Sequence, residues 1–108
     1  MTFDVLWLQT AEQDLNDIAD YIAAHDSESN AKYVIDKLIA AARALKSHPE
    51  AGTRVKELES VASREYRQIF FKPYRVIYRI TGKQVFIYIV ADGWRDMQAL
   101  LIRRILSH

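Results

Sequence analysis

Hydrophobic residues recur along this chain in two rhythms, and the switches between them delimit the elements. Near the N-terminus Phe3, Val5 and Trp7 alternate with Asp4, Leu6 and Leu8, which predicts a short strand over Phe3 to Leu8 with both faces at least partly buried. The period then becomes helical. Leu15, Ile18, Ala19 and Ile22 fall at i, i+3, i+4 and i+7, while Glu12, Asp14, Asp17 and Asp20 cover much of the remaining surface. Thr10-Ala11-Glu12-Gln13 reads as a capping box for this helix, because a threonine hydroxyl can accept the N3 amide hydrogen bond while Gln13 reaches back. The acids of the first turns suit the positive end of the helix dipole, and the helix ends near His25. Asp26 to Asn30 is turn and cap chemistry. A second helical period, Ala31, Val34, Ile35, Leu38, Ala42 and Leu45, continues to His48-Pro49, where proline stops it. Two helices joined this closely form an antiparallel hairpin.

Beyond a loop around Gly52, period-2 patterning returns in three runs: Glu65 to Phe71, Tyr74 to Thr81 and Val85 to Ala91. Lys72-Pro73 and Gly82-Lys83 connect them too tightly for anything but antiparallel pairing. Asp92-Gly93 breaks the last strand, and Met97, Leu100, Leu101, Ile105 and Leu106 form the apolar stripe of a final helix, followed on its polar side by Arg103-Arg104. That stripe packs on the chain's own sheet or on a partner. The order is β-α-α-β-β-β-α, an α+β domain spanning residues 1–108 with a small, mainly antiparallel sheet.

Composition narrows the classes. A length of 108 residues suits one domain, and 50% hydrophobic residues with three Gly and two Pro exclude a disordered or linker-rich chain. Zero cysteines remove disulfides, thiolate nucleophiles and Cys-based zinc sites, and no apolar run approaches the length of a membrane span. The start, MTFDVLWLQ, lacks the basic and apolar regions of a secretory leader, so the expectation is a cytoplasmic protein with no membrane partner. The net charge of +1 conceals a division. Residues 1–30 hold seven acids and no Lys or Arg, whereas residues 54–104 carry eleven Lys/Arg against five acids.

Those cations are set among strand residues. In a strand from Tyr74, alternation puts Arg75, Ile77 and Arg79 on one face and Tyr74, Val76, Tyr78 and Ile80 on the other. Arg67 in the preceding strand and Arg95 after the last are expected to approach the Arg75 face, giving a group of guanidiniums suited to bidentate contacts with phosphate or carboxylate oxygens. The competing expectation is that Arg75 or Arg79 pairs with Asp92, Asp96 or Glu65 and staples the sheet. His25, His48 and His108 lie in a turn, beside a proline and at the terminus; they read as caps or solvated side chains, and none shares metal-ligand spacing with a carboxylate. No Gly-rich phosphate loop is present, and neither metal nor organic cofactor is expected.

Two motifs, Tyr74-Arg75-Val76-Ile77-Tyr78-Arg79 and Asp92-Gly93-x-Arg95-Asp96-Met97-Gln98, together with the helical hairpin after a first strand, resemble the RelE/ParE superfamily of bacterial toxin–antitoxin toxins along nearly the whole chain. The resemblance implies a growth-inhibiting toxin covered by a cognate antitoxin, with a homodimer possible inside the toxin–antitoxin complex. RelE-like members cut mRNA in the ribosome; ParE-like members poison DNA gyrase and are not nucleases.

By motif register, the resemblance places Arg75 and Arg95 at the two basic positions that RelE-like enzymes use at the phosphate, and Arg67 at the first strand lysine. The second strand lysine falls on Ile69 and the C-terminal tyrosine on Leu101. Two candidate acid/base groups are thereby aliphatic, which favours the ParE-like mode, although Tyr66, Tyr78 or Glu65 could substitute. Trp94 occupies a motif slot that is usually basic; it either contacts a base or target protein or tucks against the sheet. The expected binding set is Arg67, Arg75, Arg79, Trp94 and Arg95, toward gyrase or toward ribosome and mRNA. A third reading is a non-toxic nucleic-acid-binding remnant.

Overall fold

A computed structural model describes residues 2–59, 65–93 and 96–106. Strand β1 (Asp4–Trp7) leads through Leu8 into α1 (Gln9–His25), and α2 (Glu28–Arg43) follows after two residues and runs into a 3-10 turn at Ala44–Lys46. The chain then forms a two-residue strand β2 (Thr53–Arg54), a 3-10 turn at Lys56–Leu58, the strands β3 (Arg67–Phe71), β4 (Tyr74–Thr81) and β5 (Gln84–Asp92), and helix α3 (Met97–Leu106). The five strands make one sheet in the order β1-β5-β4-β3-β2, with β1 parallel to β5 and every other pair antiparallel.

Three local expectations change. Strand β2 was not expected: Thr53 and Arg54 fall in the loop after Gly52, yet they pair with Gln68 and Arg67. Two residues carry no readable period, so pairing rather than pattern makes them a strand. The capping box at Thr10 does not form; the helix starts two residues earlier, with Leu8 extended at the N-cap position and no side-chain cap. The reason lies in the sheet, because the Leu8 amide donates to the Ile87 carbonyl while the Leu8 carbonyl receives the Ala11 and Glu12 amides. The strand thus passes directly into the helix. The second helix does take the expected cap, with the Ser27 hydroxyl accepting from the Asn30 amide at 3.0 Å. On β1, Val5 and Trp7 are half-buried while Asp4 and Leu6 stand exposed, so its second face is open rather than partly covered.

The sheet separates two apolar clusters. On one face Leu15, Ile22, Val34 and Leu38 of the helical hairpin pack on Val76, Tyr78, Val85, Ile87 and Val90. On the other, Met97, Leu100 and Leu101 of α3 join Val55, Leu58 and Tyr66 over Ile77, Ile89 and Ala91. Met97, Leu100, Leu101 and Ile105 of the α3 stripe therefore pack on the chain's own sheet. Burial of each such Leu, Ile or Val contributes about 1.5–3 kcal/mol, which explains why a ten-residue helix holds its place.

The facing of β5 is set by a bulge. Pairing with β4 runs from Tyr74 opposite Asp92 to Ile77 opposite Ile89, then slips so that Tyr78 is opposite Ile87. Tyr88 is the additional residue, and it packs with the α3-side cluster alongside Ile89. Without this slip Ile87 and Ile89 would share a face; with it, Ile87 enters the hairpin-side core and Ile89 the other.

Candidate functional site: two arginine stations on the sheet face under helix α3

Strand pairing decides which side chains meet. In an antiparallel ladder directly opposed residues share a face. Phe70 is opposite Arg75 and Gln68 opposite Ile77, so Gln68 and Phe70 lie on the α3 side with Arg75, Ile77 and Arg79. Arg67 is opposite Tyr78 and Ile69 opposite Val76, which puts both on the hairpin side. The expected grouping of Arg67 with Arg75 and Arg79 is therefore corrected. The neighbours that β3 offers to Arg75 are Gln68 and Phe70. Arg95 and Trp94 lie outside the described residues.

Arg67 is a structural staple. Its guanidinium donates to the Gly52 carbonyl at 2.9 Å and meets a Glu65 carboxylate oxygen at 2.7 Å, and Glu65 also receives Arg54 at 3.1 Å. These contacts tie the 50–54 loop and β2 to the start of β3. Beneath them the buried Tyr78 hydroxyl donates to the Pro49 carbonyl at 2.7 Å and accepts from the Gly52 amide at 2.9 Å. A Cβ on residue 52 would come within 2.6 Å of both the Gln68 carbonyl and that hydroxyl, so only glycine fits.

Arg75 forms the first station. Its Nη1 lies 3.2 Å from Glu57 Oε1 and 3.1 Å from Glu57 Oε2, and it donates to Gln68 Oε1 at 3.1 Å. The stapling expectation holds for this arginine, with a partner other than the three named: Glu57 sits on the 3-10 turn that α3 packs against. Nothing in the local sequence marks Glu57, since the pairing spans eighteen residues. The exposed ring of Phe70 stands 6.0 Å from the guanidinium carbon.

Arg79 forms the second. Four residues along a strand separate its Cα from that of Arg75 by about 13 Å, so the two side chains leave the face at separate places. Among the described residues it makes no ion pair with a carboxylate; its neighbour is the Tyr66 hydroxyl. The Tyr66 and Tyr88 rings meet edge to face at 5.3 Å. Burial pushes the Tyr66 hydroxyl above its ordinary pKa, Tyr88 adds to the rise and Arg79 opposes it. At neutral pH Tyr66 thus keeps its proton, while its oxygen accepts from Arg79. Leu6 and Phe86, opposed in the β1–β5 pairing, continue this face beyond the described reach of α3.

The two aliphatic positions take different places. Leu101 on α3 is fully buried against the sheet at 0% exposure, whereas Ile69 packs in the opposite core. Gln68, which stands on the Arg75 face instead, cannot titrate. Of the histidines, His25 stacks on Tyr21 at 4.2 Å and its Nδ1 lies 2.9 Å from the Tyr21 carbonyl, a helix-end contact as expected. Among the described residues no three His, Cys, Asp or Glu side chains gather as a metal site would need, and no helix is long and apolar enough to cross a membrane.

A helical hairpin and a short helix on opposite faces of a five-stranded sheet, with arginines beside the shorter one, define a small α+β domain. The model of the family described as the ParE toxin of type II toxin-antitoxin system, parDE, matches residues 5–107, and the chain belongs to that family. A search of curated proteins finds no significant match. Among solved structures, a chain of the chromosomal ParDE toxin-antitoxin system from P. aeruginosa superposes with a TM-score of 0.67 at 18% identity, covering 84% of this chain and 96% of that one. The RelBE2 toxin-antitoxin complex from Mycobacterium tuberculosis gives 0.61 at 19%, over 85% and 99% of the two chains. A double arginine-to-alanine variant of the E. coli toxin RelE in the free state gives 0.60 at 13%, over 97% and 99%. At these identities the likeness establishes the fold.

Proposed function

We propose that this protein is the growth-arresting toxin of a type II toxin–antitoxin module, acts in the cytoplasm, is held in check by a cognate antitoxin, and poisons DNA gyrase in the ParE manner rather than cutting mRNA. One observation carries the choice of mode. Among the described residues the α3-side face offers its guanidiniums no free general base: Gln68 does not titrate, Leu101 is buried, Glu57 is engaged by Arg75, and Tyr66, which keeps its proton, can act only as an acid. A general acid or base typically contributes about 10² to 10⁴ in rate, so a nuclease lacking one would be weak. Arg75, Arg79, Trp94 and Arg95 are the residues assigned to target or antitoxin contact; Arg67 is left out because its donors are taken up by Glu65 and Gly52.

Inducible expression followed by two assays tests this. Growth should stop, gyrase supercoiling should fail or cleaved DNA complexes accumulate, and primer extension on translating ribosomes should show intact mRNA. The protonated Tyr66 hydroxyl beside Arg79, a candidate general acid, supports the second reading, a RelE-like mRNA interferase. Codon-positioned cuts lost in Arg79→Ala or Arg95→Ala would establish it in place of the first.

A further inference from the structure

Among the described residues, two partly buried arginine–carboxylate pairs differ in geometry. Arg104 and Asp14 meet fork to fork, with Nη1 3.0 Å from Oδ1 and Nη2 3.0 Å from Oδ2. Arg75 reaches Glu57 through one nitrogen only: Nη1 serves both carboxylate oxygens and Gln68 besides. A guanidinium has five N–H donors, and the Nη2 and Nε edge of Arg75 has no described partner. The side chains of Arg75 and Glu57 retain 19% and 26% exposure, and the Phe70 ring beside them is 51% exposed. The first pair is complete, whereas the second leaves one hydrogen-bonding edge of its guanidinium without a described partner.

We infer that Glu57 is an internal competitor at Arg75: with Gln68 it aims the guanidinium while weakening its hold on a carboxylate supplied by a partner protein, which takes the Nη2–Nε edge with an aliphatic neighbour against Phe70. This inference rests on the reading of this face as the partner-binding face. A fork–fork contact is the strongest arrangement open to an arginine and a carboxylate, so the incoming group gains a geometry that Glu57 does not use. The nearby Glu57 charge repels any second anion. It penalises a multiply charged phosphate chain more than a single carboxylate, and Phe70 offers apolar contact that suits a peptide segment with acidic and aliphatic residues in alternation. Glu57 is thus a positioning and specificity residue: it sets the strength and the chemical selectivity of the station.

The test uses the full chain, the blocked peptide acetyl-Leu-Glu-Leu-amide as probe, and inorganic phosphate and an RNA dinucleotide as competitors. Binding is read from the Arg75 Nε–H and Phe70 ring signals by NMR. The peptide should move both signals together, and Glu57→Gln should tighten its binding roughly fivefold by removing one like charge at the upper end of surface electrostatic effects. Glu57→Asp, which keeps the charge, should bind as the wild type does. Arg75→Lys, which keeps the positive charge but has no fork, should lose at least about tenfold. Unchanged or weaker binding in Glu57→Gln overturns the inference, as does wild-type affinity in Arg75→Lys, or tighter binding of phosphate or dinucleotide than of peptide at the same signals. Growth arrest is scored separately. A chain that arrests growth but binds indifferently to Glu57→Gln refutes only this inference, whereas absence of arrest refutes the functional reading while the titration still decides the role of Glu57.

Discussion

The carboxylate of Asp14 and the guanidinium of Arg104 face each other fork to fork, ninety residues apart in sequence, and together they complete an edge of the sheet. Strand β1 leaves its partner where the Leu8 amide meets Ile87, so on that side Tyr88 and Val90 of β5 have no strand beside them. Asp14 accepts the Val90 amide at 3.0 Å and Arg104 donates to the Tyr88 carbonyl at 3.2 Å. A pair of side chains from α1 and α3 thus does what a strand would do, and it fastens both helices to the bulged segment of β5.

Removing one partner should therefore be expensive. Asp14→Asn or Arg104→Met leaves a charge without its fork partner and a β5 backbone group without its contact. The expected loss is about 3 kcal/mol, near the lower end for breaking a buried pair. Urea denaturation of the two single variants and the double variant measures it. A double variant much less destabilised than the sum establishes the coupling; strict additivity would mean that the pair does not act as a unit.

A second stability test concerns Gly52. Its hydrogen sits where a methyl group would meet the Gln68 carbonyl and the Tyr78 hydroxyl at 2.6 Å. Gly52→Ala should cost about 1–3 kcal/mol through overpacking. Tyr78→Phe should cost about 1–2 kcal/mol, because the buried Pro49 carbonyl and Gly52 amide lose their contact. In the Tyr78→Phe background the Gly52→Ala penalty should fall only in part, since the Gln68 oxygen belongs to the backbone and cannot move aside. Thermal unfolding of the three variants checks this, and full relief would locate the clash at the hydroxyl alone.

Much of this architecture is legible in the chain, and the exceptions share one cause. Strand β4 occupies the expected Tyr74 to Thr81, and both hairpin helices follow from their apolar periods because each has one buried stripe. Alternation along β4 also separates Arg75 from Tyr78 correctly. What alternation within one strand cannot supply is its phase relative to a neighbour: Arg67 falls on the hairpin side because the Pro73 turn sets Phe71 opposite Tyr74. The bulge at Tyr88, the β2 pairing, and the Asp14–Arg104 and Glu57–Arg75 contacts likewise depend on elements distant in sequence. Asp14 reads as one more acid on a solvated helix face until the gap beside β5 is seen.

Alkaline pH should expose the buried tyrosines. Burial is the leading cause that holds the hydroxyls of Tyr66, Tyr74 and Tyr78 above their ordinary pKa. A folded-state pKa above the unfolded one means that the folded chain keeps protons that the unfolded chain releases. Stability from these groups is then complete below about pH 10 and declines as pH rises past that point. Tyrosinate absorbance should consequently lag for three of the six tyrosines and appear with loss of structure. Tyr78→Phe should make the remaining fold less sensitive to alkali; an unchanged pH slope would argue against a protonated Tyr78 as its source.

The three described arginines of the expected binding set should separate by function. Arg67→Ala removes the donor to Gly52 and the partner of Glu65, so it should lower thermal stability while leaving growth arrest in place. Arg79→Ala removes a guanidinium that has no carboxylate partner among the described residues, so stability should change little and growth arrest or antitoxin binding should weaken. Arg75→Ala should do both, since Glu57 and Gln68 lose a shared donor and the station loses its charge. Its stability cost should stay near 1–2 kcal/mol because the pair is partly solvated, which leaves the chain folded. Circular dichroism, thermal unfolding and colony counts on inducible plasmids resolve the set. If Arg67→Ala abolished growth arrest at unchanged stability while Arg75→Ala and Arg79→Ala remained fully toxic, the functional face would be the hairpin side, and both stations would be structural.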